Sequence, residues 1–409
     1  MKLSTITFIT LITMLPLRAQ GANESKVESV REKVDTLQNQ VEHVFDKLLE
    51  KSHFKIGGYL QPQYQHTEKA KGFTVNPYNP DEFIKDRFVL RRGRLKFKYV
   101  TDVVGFVLES DFTNKGVRIT DAYLRITDPW TKYFSFKAGS FNRPFYEVEY
   151  SSSKRESPER SIVTRLLYPG ERDLGFSFVI KLKDLFQLDL ATYNNTYRTM
   201  YLQWLPNFKD YPFYYMIRLK KDFQLGNDAA LSLGAHTRIG QMSANTKKVI
   251  LPENDGNKID STTYKVGDGL SRTWYGVNAQ FYSDWLFGLK IAAAYLWGNN
   301  VDQPAEDKSE PLRIRNFSGY YVYLIKNIGK EWQAVVKYNT YNPNIAIDPN
   351  TITSSHDLSK SALGFGIHNY SFSNIRLTLW YDIYTTQTNT LFPEDPVDNI
   401  LTFRTQMKF

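Results

Sequence analysis

The sequence predicts an all-β protein: a sixteen-stranded antiparallel transmembrane β-barrel preceded by a short N-terminal coiled-coil helix. Three observations carry that reading. Most of the chain alternates with a period of two, in segments about nine to eleven residues long, the length that crosses a bilayer at a tilt. Long and short connections alternate between those segments. And the stretch from Arg87 to Tyr99 has two unlike faces. Successive side chains on a strand point to opposite sides. Val89, Gly93, Leu95, Phe97 and Tyr99 therefore fall on one face, and Arg92, Arg94, Lys96 and Lys98 on the other. An apolar row backed by a basic row suits a wall with lipid on one side and water on the other.

Composition is compatible with this. Mean hydropathy is that of a soluble chain, but barrels hide in such averages because lipid-facing and lumen-facing residues alternate. After the N-terminus no apolar run approaches the roughly 18 residues of a membrane helix, so a spanning structure has to be a closed barrel. The 409 residues carry a formal charge of +9. The basic residues are spread over many strands rather than gathered in a tail, so no nucleic-acid partner is expected. Cysteine is absent, which excludes disulfides and thiolate metal sites.

Taken in order, Met1-Lys2, an apolar run from Leu3 to Leu17 and then Arg18-Ala19-Gln20 read as a signal peptide over 1–22. Residues 23–52 follow, with Val27, Val30, Val34, Leu37, Val41, Val44 and Leu48 in alternating steps of three and four. This is a coiled-coil seam whose β-branched residues lean toward a trimer. The barrel domain is assigned to 53–409. Its strands are expected near 54–65, 87–99, 103–113, 118–127, 134–142, 173–182, 186–194 and 211–220. The second half continues at 229–239, 272–282, 286–297, 316–326, 332–341, 361–370, 375–384 and 400–409.

Long loops on one rim and tight turns on the other are the pattern of a bacterial outer-membrane barrel, so the expected location is the outer membrane of a Gram-negative cell, with the N-terminal helix periplasmic. The last strand places Leu401, Phe403, Thr405, Met407 and Phe409 on one face and Thr402, Arg404, Gln406 and Lys408 on the other. A terminal Phe409 after such alternation fits the signal read by barrel-assembly machinery.

The inward rows supply the candidate site. Arg92, Arg94, Lys96 and Lys98, joined by Arg125 and Lys137, would form an anion pathway along the lumen. Glu109 and Asp111 lie on the adjacent strand and could neutralise part of it by cross-strand pairing. The segment 143–172 is the candidate constriction loop, with Arg143, Arg155, Arg160 and Arg165 as its cations. No catalytic residues are expected: GxSxG and HExxH are absent and the six histidines are scattered. No metal or cofactor is expected either.

Several stretches resemble one family. Ile56-Gly57-Gly58-Tyr59-Leu60-Gln61-Pro62-Gln63-Tyr64, Arg91 through Lys98, Asp121-Ala122-Tyr123 and Arg172-Asp173-Leu174-Gly175 are similar to the phosphate-selective porin O and P family, in its Bacteroidetes form. The resemblance implies a homotrimeric outer-membrane porin with a third loop folded into the pore, passing anions such as phosphate along a basic ladder. Only Arg92, Arg94, Lys96 and Lys98 sit inside a matching motif. The alternative reading is a structural or adhesive barrel with a plugged lumen and surface-binding loops.

Overall fold

The computed structural model describes residues 53–68, 85–113, 116–168, 171–182, 185–194, 213–244, 246–251, 259–260, 263–302, 311–396 and 398–409. The expected signal peptide and coiled-coil seam lie outside the described residues.

Sixteen long antiparallel strands form one closed sheet. They are β1 (Phe54–Thr67), β2 (Asp86–Val100), β3 (Val104–Thr113), β4 (Gly116–Thr127), β5 (Phe134–Asn142), β6 (Arg172–Leu182), β7 (Phe186–Tyr193) and β8 (Tyr214–Leu225). The rest are β9 (Ala229–Ile239), β10 (Trp274–Ser283), β11 (Leu289–Asp302), β12 (Leu312–Ile328), β13 (Trp332–Asn342), β14 (Lys360–Phe372), β15 (Ile375–Thr386) and β16 (Ile400–Lys408). Each pairs with its sequence neighbour, and β1 closes on β16 from Tyr59 opposite Lys408 to Thr67 opposite Ile400. Closure removes the exposed edges that a sheet cannot leave in lipid. On the long-loop side, Val249–Ile250 adds a short strand parallel to the start of β12.

Alternation on the strands produces the two surfaces. On β16, Phe403 and Met407 are 45% and 52% exposed, whereas Thr402, Arg404 and Gln406 are buried. Trp130, Trp285 and Phe287 are exposed at the short-turn rim, where an aromatic girdle belongs. The closing seam is tight at Gly58, whose amide and carbonyl both bond Phe409. A Cβ on Gly58 would stand 2.1 Å from the Arg94 carbonyl oxygen.

One expected face is wrong. The register of β1 against β2 shifts between Gln61 and Pro62, so that Gln61 faces Arg92, Pro62 faces Leu90, and Arg91 is the extra residue. Proline has no N–H for the ladder and sits in sheets at edges or bulges. Alternation therefore reverses at the bulge. Phe88 is outward at 86% exposure, and Val89, read as outward from periodicity, instead lies opposite the buried, inward-facing Gln63. Arg91 joins Arg92 on the lumen side.

The apolar core lies inside the barrel rather than between layers. The segment after β5 carries two short helices, α1 (Tyr146–Glu149) and α2 (Ile162–Leu167). Its Phe145, Val148, Ile162, Val163, Leu167 and Tyr168 pack in one cluster with Trp274, Phe317, Tyr321 and Trp380 of the wall. Each such side chain withdrawn from water contributes about 1.5–3 kcal/mol. This burial is what draws the loop inward.

Candidate functional site: the lumen and its inserted loop

The loop begins at Arg143, which donates to Tyr214 Oη at 2.6 Å and pairs with Asp173 at 3.1 Å. Its own fold is stapled by Arg160, whose guanidinium donates to the carbonyl oxygens of Glu147, Val148 and Tyr150 and pairs with Glu171. Glu147 accepts from the Ser161 amide and hydroxyl at 2.8 and 2.6 Å, and from Tyr323 Oη at 2.7 Å. Ser161 in turn caps α2. Backbone groups left over by so irregular a segment need partners, and the wall supplies them. Arg376 donates to the Arg155 carbonyl, His368 meets that of Glu156, and Arg404 donates to that of Pro158. Gln61 and Gln406 donate to the carbonyls of Ser152 and Ser153.

The strongest tie is at the bulge. Arg91 holds Glu159 through two bonds, at 2.6 and 2.7 Å, and Arg404 adds a third contact at 3.4 Å. Such paired fork geometry is the strong form of a charged hydrogen bond. Burial acts to raise the Glu159 carboxyl, but Arg91, Arg404 and Arg155 outweigh it and hold it well below the usual carboxylate range. Sequence periodicity missed Arg91 because it assumed unbroken alternation. Pro62 in mid-strand was the available signal.

The basic row itself is largely spoken for. Arg92 pairs with Asp111 at 2.9 Å and Arg94 with Glu109 at 2.8 Å. Both arginines are buried. Lys96, partly exposed, meets Glu109 at 2.7 Å and Asp121 at 3.0 Å. Arg172 also reaches Asp121, and Arg118 reaches Asp111. The cross-strand neutralisation foreseen for Glu109 and Asp111 is present. It runs directly across from Lys96 to Glu109 and from Arg94 to Asp111 at 3.7 Å, and on the diagonal from Arg92 to Asp111 and Arg94 to Glu109.

Farther toward the short-turn rim the pattern changes. Lys98 is exposed, and Arg125 lies directly opposite Lys137 on β4 and β5. None of these three has a carboxylate within 4.0 Å among the described residues, and the same is true of the exposed loop cation Lys154. The acids here are engaged: Asp189 of the wall and Glu149 of the loop with Arg218, Asp382 with Lys337, and Glu156 of the loop with Lys290.

Among the four candidate loop cations, Arg143, Arg155 and Arg160 are buried, and Arg165 lies against Tyr384. Arg143 and Arg160 hold the loop rather than face open water. The loop bonds β11–β16, β1 and β2, and also β8–β10 through Arg143 to Tyr214, Glu149 to Arg218, and Tyr168 to His236 and Trp274. A cavity of about 170 Å³ remains between residues 146–154 of the loop and β8–β10. Among the described residues no cluster of His, Asp and Glu could hold a metal, and no helix is long and apolar enough to cross a membrane.

No family model matches the chain, and no curated protein matches it either. Solved structures do. OprB of Pseudomonas putida is 9% identical, with 89% of this chain and 96% of that one aligned at a TM-score of 0.59. The outer-membrane channel DcaP of Acinetobacter baumannii is 15% identical, over 87% and 97%, also at 0.59. An anion-selective porin from Comamonas acidovorans is 10% identical, over 88% and 100%, at 0.57. Identities this low establish the fold alone. Closed sheet, apolar belt and structural likeness agree: this chain has the porin fold, a sixteen-stranded barrel of the Gram-negative outer membrane.

Proposed function

We propose that the protein is a non-enzymatic diffusion porin, a water-filled channel that prefers anions of the phosphate type. One observation carries the preference. The lumen acids noted above have cationic partners, whereas Lys98, Arg125, Lys137 and Lys154 have no acidic ones. The surplus field is positive, and charge lining a pore sorts permeants directly. Arg92, Arg94 and Lys96, neutralised by their carboxylates, act in this reading as the frame of the pathway rather than as its binding sites. The segment 143–172 is in this reading its constriction. The anion-selective Comamonas porin, alike in fold, is in keeping with the proposal.

The channel is proposed to be a homotrimer. The N-terminal seam supports that assembly, as does the structural likeness to a Vibrio cholerae outer-membrane protein solved in a trimer form. Phe409 would serve the barrel-assembly machinery, and outer-membrane lipids would bathe the apolar belt. Planar-bilayer recording tests the reading: discrete conductance steps with anion-favouring reversal potentials are expected. Well-folded protein that gives no steps would instead favour a plugged, structural or adhesive barrel.

A further inference from the structure

The cavity beside the loop is built for more than bulk water. At about 170 Å³ it holds a small organic solute rather than a single water. Tyr146 and Tyr150 line it from the loop, their rings edge-on with centroids 5.1 Å apart. Asn278 and Gln280 line it from β10, two residues apart on the inward row. Their amides, like the two tyrosine hydroxyls, have no hydrogen-bond partner among the described residues. Asn278 is only 9% exposed, yet its amide stays open to the lumen, so a solute entering the cavity meets a donor and an acceptor that no protein group occupies. Gly234 leaves room for it: a Cβ there would stand 2.6 Å from Asn278 Oδ1.

Amides and hydroxyls both donate and accept, the pattern that several hydroxyls on one solute can match. The charges lining it are mixed, three basic to one acidic, and Lys220 is paired with Asp222 at 3.1 Å. Glu149 is held by Arg218 at 2.6 Å, while Lys154 lines the cavity with its ammonium open.

We propose that this cavity is a subsite for a small anion carrying several hydroxyls, the chemistry shared by sugar acids and sugar phosphates, and that such solutes pause there while crossing. The proposal rests on the anion-pore reading and adds a solute class to it. In planar bilayers, chloride current through the full chain would be titrated with D-gluconate, acetate and D-glucose. Gluconate should block with an apparent affinity roughly three- to tenfold tighter than acetate, as one or two additional hydrogen bonds allow, and tighter than glucose. N278L/Q280L, its fold checked by far-UV dichroism, should bring gluconate to the level of acetate. Equal block by gluconate and acetate in the unaltered protein would overturn the subsite while leaving anion preference standing. Block by glucose as strong as by gluconate would remove the anionic requirement. A cation-favouring reversal potential would instead strike at the pore reading beneath it.

Discussion

Arg91 shows how one residue out of phase with its neighbours can set the shape of a channel. The bulge opposite Pro62 turns it inward, where its guanidinium grips Glu159 across 68 positions of sequence. The pair is partly buried, so removing one partner costs less than the roughly 3–5 kcal/mol of a fully buried one, but it still leaves a carboxylate without its two strongest bonds. R91A is therefore expected to loosen the loop on the β2 side, giving larger and noisier single-channel conductance while the barrel stays folded. An unchanged conductance would mean that the apolar cluster alone holds the loop. The same pair predicts a pH response. Because its folded pKa is depressed, Glu159 contributes stability that is fully present above the ordinary glutamate range, about pH 4.5, and is lost only as pH falls through the lower folded value. Conductance should thus be flat from pH 8 to pH 4 and rise only in stronger acid. In E159Q that rise should be absent, the channel being already loosened at neutral pH.

At the scale of strands, alternation carried most of the information. The expected β3, β5 and β9 match the observed ones to within a residue, because their two faces meet unlike solvents and any slip would put charge into lipid. Periodicity says nothing about an extra residue, so the inward turn of Arg91 and the correct side for Val89 were hidden, although Pro62 marked the spot. The loop was harder still. Its charges are mixed, and what holds it is apolar burial and hydrogen bonding with strands far along the chain, Tyr323 to the Glu147 carboxylate and Arg404 to the Pro158 carbonyl. The seam between β1 and β16 offers a separate test. A branched side chain at Gly58 would have to displace the Arg94 backbone and the Phe409 ring, a strain of about 1–3 kcal/mol. G58V should lower the temperature at which the folded barrel loses its compact mobility on gels, whereas G105A, where a Cβ would meet nothing nearer than 3.5 Å, should change it far less.

For the whole molecule, the arrangement is a division of labour between two kinds of charge. Buried arginines and acids in β2, β3, β4 and β6 neutralise one another and brace the wall beside the loop. Cations without carboxylate partners, Lys98, Arg125 and Lys137, stand where the lumen water reaches them. The sequence showed that the inward rows were basic, but it could not say which members were cancelled, since that depends on diagonal contacts and on the inserted loop. The direct test is the reversal potential of single channels in a tenfold potassium chloride gradient, for the unaltered protein and for K98Q/R125Q/K137Q. An anion-favouring potential is expected, falling toward zero in the triple variant while R92Q changes it little. A cation-favouring potential, or an anion preference that survives the triple variant intact, would contradict it.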